Sequence, residues 1–404
     1  MSMPSLRCIC RLRGHEERVW CVAWRPCADP PQLASCGSDR TIRIWGLRAA
    51  GNAEAEADWV LISEIDASDR HSRTLRCITW THTGDLAAVA SFDATTSLWR
   101  EVQEERDPQD ASGMFECCGL ITGHENEVKS AAFSPSGEFF ATCSRDKSVW
   151  IYETDKHFEY ECVAVLQSHT QDIKMVKWHP SQDVLFSVSY DDKIKVWGPD
   201  GDDWDCKETL EGHESTVWSL SWDPVGARFV TCSDDRTLRF WAAEENASQT
   251  DSPSVQPAKT PSVAAAAFMT PLFRASLGSG AANPGPQVPE LDLQAPGDAS
   301  CSWKCVATVE GHHPRPIYSC DWLPFAVDGN VACIATACGD DCVRVFKPQD
   351  HGRLSGWTCA AAVEAHTGDA NVVAWCPRPL PQGAALLASA GDDTEIALWR
   401  FGSN

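Results

Sequence analysis

Seven histidines in this chain are each followed, nine residues later, by an aromatic residue: His15/Trp24, His71/Trp80, His124/Phe133, His169/Trp178, His213/Trp222, His313/Trp322 and His366/Trp375. Seven aspartates are each followed, six residues later, by a second aromatic: Asp39/Trp45, Asp93/Trp99, Asp146/Tyr152, Asp191/Trp197, Asp235/Trp241, Asp340/Phe346 and Asp393/Trp399. Histidine with aspartate is the combination that proton transfer and metal ligation both use. Catalysis needs such groups to converge once. A pair that returns once per unit along the whole chain reads as a structural position instead. The 20 cysteines are the other candidates. None is spaced C-x-x-C, and pairs such as Cys8/Cys10, Cys301/Cys305 and Cys338/Cys342 lack zinc or iron–sulfur ligand spacing. They read as small buried hydrophobes and reduced thiols. No nucleophile–base arrangement or phosphate loop stands out, so an enzyme is not expected. Neither a resident metal nor a cofactor is expected.

What positions these residues is legible between them. Short runs such as VWCVAW, TIRIW, KIKVW and TLRFW are rich in β-branched and aromatic residues, with Gly, Pro and Asp between them. Each unit reads as three strands from the histidine to the second aromatic. A fourth follows, as in WVLISEI, FECCGLI, ECVAVLQ, CKETLE and WKCVATV. Four strands per unit and seven units predict an all-β, seven-bladed propeller filling residues 1–404 as a single domain. The last unit ends at Trp399 with little chain beyond, while Leu6–Leu12 precedes the first histidine. That N-terminal strand should complete the last blade and close the ring, removing its open edges. The units resemble WD40 repeats over nearly the whole chain.

The spacing then has a physical reading. Four residues before six of the aspartates stands a hydroxyl: Ser35, Thr142, Ser187, Thr231, Thr336 and Ser389. A buried indole N–H on the third strand needs an acceptor, and the hydroxyl supplies one. The histidine can bridge that hydroxyl to the aspartate in the turn. This clasp should be complete in four blades: His15, Ser35, Asp39 and Trp45; His169, Ser187, Asp191 and Trp197; His213, Thr231, Asp235 and Trp241; His366, Ser389, Asp393 and Trp399. Blade two has Val89 at the hydroxyl position, and blades three and six end in Tyr152 and Phe346. Those three are expected to be held less firmly.

The formal net charge is −23, which disfavours a phosphate backbone as partner. The N-terminus, MSMPSLRCICRLRGH, has no apolar leader, and the least polar stretch, Ser262–Phe273, is short and contains Pro271. A cytoplasmic protein is expected, with the nucleus also open to it, and no membrane partner. The His213-to-His313 step is 100 residues against 44 or 45 in the tightest units. The excess, 243–300, is rich in Ala, Ser, Pro and Gly and reads as a disordered insertion between the third and fourth strands of blade five. The acidic stretches EVQEERDPQD and GPDGDDWD read as solvated loop tips.

Turns and first strands share one face, the top. Just before the turn aspartates stand Phe92, Arg145 and Tyr190; five residues after the histidines stand Trp20, Arg76, Lys129, Lys174 and Trp218. Blades two to four thus gather four cations among aromatics, a patch suited to an acidic, aromatic-bearing peptide or partner surface.

The segments CSRDKSVWIYE, ECVAVLQSHTQDIKMVKWHPSQ, SYDDKIKVW, LEGHESTVWSLSWDPVG, CSDDRTLRFW and ATACGDDCVRVF together resemble the WD-repeat subunit of the cytosolic iron–sulfur protein assembly machinery. The resemblance implies a non-catalytic scaffold that joins a small acidic-type targeting factor and a HEAT-repeat adaptor. Such a complex hands 4Fe–4S clusters to apo-protein clients, the scaffold being a monomer within it. It also implies that the top-face arginine of the S-R-D-K motif, here Arg145, is functionally important. A different WD-repeat adaptor, such as a ubiquitin-ligase substrate receptor or a transcriptional co-regulator, is the alternative.

Overall fold

A computed structural model describes residues 5–48, 53–54, 58–102, 115–154, 159–201, 203–243, 302–327, 332–349, 356–380 and 383–402. Within them lie seven four-stranded antiparallel sheets, each built from strands adjacent in sequence except one. The exception joins the chain ends. Strand β1 (Ser5–Leu12) pairs with β28 (Ile396–Gly402), setting Leu6 opposite Phe401 and Leu12 opposite Ile396, so the first strand is the fourth strand of the last blade.

The first strands of the blades are β2 (Val19–Trp24), β6 (Leu75–Trp80), β10 (Val128–Phe133), β14 (Ile173–Trp178), β18 (Val217–Trp222), β22 (Ile317–Trp322) and β26 (Ala370–Trp375). Each packs on the next, and β26 packs back on β2, so they form a closed inner ring. A blade sheet has two faces to bury, and each is covered by a neighbouring blade rather than by one common core. Between blades three and four, for example, Ala141, Cys143, Val149 and Ile151 meet Ile173, Val176, Trp178 and Leu185. The expected all-β, seven-bladed propeller with its N-terminal closure is the fold observed.

The nine-residue interval has its own reason, which the sequence reading left without one. It ends on the last residue of each first strand, and several of these indoles tie their blade to the one before. Trp24 Nε1 donates to the Ala374 carbonyl at 2.9 Å, Trp178 Nε1 to Ala132 at 3.0 Å and Trp375 Nε1 to Asp321 at 3.1 Å.

Two sequence expectations need restating. The stretch GPDGDDWD is mostly strand: β16 (Ile194–Asp200) runs through its first half and β17 (Asp203–Leu210) begins in its second. Trp204 there packs edge-on against Phe139 and Trp178, 5.3 and 5.7 Å between centroids. The insertion expected at 243–300 lies, beyond Ala243, outside the described residues; so do residues 103–110 of EVQEERDPQD.

Candidate partner-binding face

Blade five shows how the face is held. Trp241 Nε1 donates to Thr231 Oγ1 at 2.9 Å, and Thr231 Oγ1 lies 2.7 Å from His213 Nε2. His213 Nδ1 lies 2.7 Å from Asp235 Oδ2. Roles follow from valence. The indole only donates and the carboxylate only accepts, so the hydroxyl proton goes to Nε2 and the imidazole proton sits on Nδ1. Asp235 also accepts the backbone N–H of Glu214 and of Thr237, which fixes both the loop and the turn. The same four-part clasp is present in blades one (His15, Ser35, Asp39, Trp45), four (His169, Ser187, Asp191, Trp197) and seven (His366, Ser389, Asp393, Trp399).

Blade two corrects the sequence expectation. Ser97, on the third strand, takes the place of the hydroxyl missing at Val89: it accepts from Trp99 Nε1 at 2.7 Å and lies 2.7 Å from His71 Nε2. Blade three keeps His124, Thr142 and Asp146, while Trp150 donates to Ser148 Oγ at 2.9 Å. Blade six keeps only His313 on Thr336, at 3.0 Å; Asp340 accepts both arms of Arg344 instead. Trp241→Phe removes one donor from a complete clasp and should cost about 1–3 kcal/mol. A thermal midpoint equal to wild type would contradict this.

The clasps make stability fall with acid. Burial lowers the pKa of His169 and His213 and takes His313 down to about 3. Burial opposes ionisation of the clasp aspartates, yet the histidine and backbone donors prevail and hold Asp39 and Asp191 at about 2. Both kinds of group bind protons less readily folded than unfolded. Their stabilisation is present above the unfolded values and lost as pH falls, from about pH 6.5 for histidine and about pH 4 for aspartate. Asp192, Asp223, Asp321 and Asp341, raised by burial, work the other way but are fewer. The thermal midpoint should therefore decline below about pH 6 and more steeply below about pH 4. A midpoint that holds or rises over that range would contradict the assignment.

On the face so held, the sequence-predicted residues come together. Arg76 lies over the Trp20 ring at 5.2 Å and Lys129 over Phe92 at 4.0 Å. Lys174 stands between Tyr190 at 5.1 Å and Trp218 at 4.8 Å. The belt alternates cation and ring across blades one to five, and Tyr318 continues it edge-on to Trp218, 5.4 Å away. Arg145 is more than half exposed at the end of its strand, 3.6 Å from Glu127 and 3.9 Å from Asp172. Lys147 follows it in the turn with φ of 73°, a left-handed conformation shared by the residue after every clasp aspartate.

The sequence reading missed the acids within the patch. Glu127 bonds Lys129 and Arg73, and Asp172 lies 3.7 Å from Lys174. Burial lowers the pKa of both lysines, against the pull of these carboxylates and with the help of Arg76. The signal was available, because Glu127 and Asp172 each stand three residues after a clasp histidine. Across the disc the sign reverses: Asp341 is raised by burial, with Asp369 and Glu364 close by. Among the described residues, no group of three or more His, Cys, Asp or Glu is placed to hold a metal ion.

Comparison with known proteins decides the family. The WD domain, G-beta repeat, matches residues 6–46, 64–100, 115–153, 160–198, 204–242 and 303–347. A probable cytosolic iron–sulfur protein assembly protein Ciao1 of Culex quinquefasciatus is 39% identical over 404 residues, covering 99% of this chain and 98% of that protein. The chain belongs to this WD40 family of cytosolic iron–sulfur protein assembly proteins. A Ciao1 homologue of Chlamydomonas reinhardtii is 41% identical over 99% of each chain, and one of Caenorhabditis elegans 32% over 95% and 94%. The matched WD segments run from a fourth strand through the next third strand, so the family repeat is offset from the blade. That offset is the one the closure by β1 requires.

Proposed function

We propose that this chain is a non-catalytic scaffold of cytosolic iron–sulfur protein assembly. It bridges assembly factors and apo-protein clients so that 4Fe–4S clusters, as cargo, reach the clients. A small acidic-type targeting factor and a HEAT-repeat adaptor are its partners, in the cytoplasm and, with nuclear clients, in the nucleus. The observation that carries the reading is the top-face belt. Arg76, Lys129, Arg145 and Lys174 are set among Trp20, Phe92, Tyr190 and Trp218 on a protein whose net charge is −23. Arginine and aromatic rings dominate the energetics of protein interfaces, and here all of the belt but Arg145 and Tyr190 is held half-buried before any partner arrives. The names of the relatives, each a cytosolic iron–sulfur protein assembly protein, support the choice of pathway. The seven clasp histidines favour no chemistry, because each bonds a hydroxyl of its own blade.

Depletion tests the proposal. Loss of the chain should lower the cluster content and activity of cytosolic iron–sulfur enzymes and leave mitochondrial ones unchanged. Unaltered cytosolic cluster content would sink it.

A further inference from the structure

The inner ring carries a thiol pair that neither the clasp nor the partner face uses. Cys21 on β2 and Cys77 on β6 stand six residues after His15 and His71, the same place in neighbouring blades. Side chains at this place reach toward the next blade. The Cys21 thiol donates to the Ile78 carbonyl at 3.6 Å, and in blade five the Ser219 hydroxyl donates to the Cys320 carbonyl at 3.4 Å. Reaching the residue beside Cys77 sets the Cys21 side chain next to it. The same step brings Cys77 Sγ to 3.9 Å from Ser130 Oγ, its counterpart in blade three. Both thiols are half-buried, whereas Cys36 and Cys143, the nearest other thiols, are fully buried.

The surroundings divide the pair. The Cys21 thiol, then the Ala131 N–H, Arg76 and Ser130, hold the Cys77 thiol below its ordinary value against the cost of burial. Cys21 is pushed up by the neighbouring Cys77 thiol and by burial. One member is thus set up as the nucleophile and the other as the resolving thiol.

We propose that Cys77 and Cys21 are a hydroperoxide-oxidisable pair that closes to a disulfide between blades one and two. The Cys77 thiolate attacks one oxygen of the hydroperoxide. The S–O bond forms, the O–O bond breaks, and the other oxygen leaves as hydroxide or alkoxide. Cys21 then attacks the sulfenic sulfur; the S–S bond forms and the S–O bond breaks. The departing hydroxide takes the Cys21 proton and leaves as water. The two thiols lose two electrons and the hydroperoxide gains them. The bond ties blades one and two together in the inner ring and removes a thiolate that Arg76 favours.

The test uses the full chain, reduced and then exposed to hydrogen peroxide, with peptide mapping by mass spectrometry. A Cys21–Cys77 cross-link is expected. Cys21→Ser should leave a sulfenic acid at Cys77 that dimedone traps, and Cys77→Ser should abolish both products. Alkylation of the unmodified chain by iodoacetamide gives a second readout. The rate at Cys77 should level off at a lower pH than at exposed Cys118, whose thiol burial pushes up. Peroxide oxidation of Cys77 with no cross-link, or a Cys77 rate that rises over the same pH range as Cys118, would overturn the proposal.

Discussion

Asp235→Ala should destabilise the chain by about 3–5 kcal/mol, the largest effect expected of any single change in the clasps. The carboxylate accepts from His213 Nδ1 at 2.7 Å, from Thr237 Oγ1 at 2.7 Å and from two backbone N–H groups at 2.9 and 3.1 Å. Alanine leaves all four donors without it, and His213 is buried where water cannot replace the partner. The loss then passes along the chain of bonds, because an imidazole free to turn no longer fixes the Thr231 hydroxyl under Trp241. Asp340→Ala in blade six is the internal control. Asp340 receives Arg344 and the Cys342 N–H, and His313 does not depend on it. Arg344 can turn toward water, so about 1–2 kcal/mol is expected there. Thermal midpoints at one scan rate make the comparison. Equal losses at the two positions would mean that the histidine bridge contributes little.

Arg145→Glu should have the opposite profile: a large loss of partner binding with little loss of stability. The side chain is exposed, and its ion pairs at 3.6 and 3.9 Å are long and solvated, so the fold should change by less than about 1 kcal/mol. Binding is another matter. A carboxylate at this point faces Glu127 and Asp172 and inverts the sign of the most accessible cation in the patch. Capture of an acidic partner should weaken by at least about thirtyfold, near 2 kcal/mol, and wild-type capture should itself weaken as salt is raised. Full capture by the variant would move the interface elsewhere. A collapsed melting curve would make Arg145 a fold residue.

The parts of the molecule that repeat were legible in its sequence; the parts where one side chain substitutes for another were less so. Two intervals, nine and six residues, gave the blade number, strand order and closure, because each marks a bond that every blade must make. The hydroxyl of blade two was not legible at the place the other blades use, because Val89 stands four residues before Asp93. Its replacement had a visible trace. Ser97 stands where four other blades have Arg43, Lys195, Arg239 or Arg344 and the remaining two have Trp150 and Ala397, so it is the one hydroxyl in its column. The partner face is legible in the same columns, but its net sign depends on neighbours outside them. Glu127 and Asp172 lie beside the cations, so the patch is a network of pairs with a cationic excess rather than a bare positive surface.

Affinity capture of the chain from native cytosol, with identification of the co-purifying proteins, tests the central claim most directly. Recovery of iron–sulfur assembly factors together with apo-forms of iron–sulfur enzymes, lost with Arg145→Glu, is the predicted result. Recovery of cullin adaptors or chromatin proteins in their place would contradict it and favour a different WD-repeat adaptor.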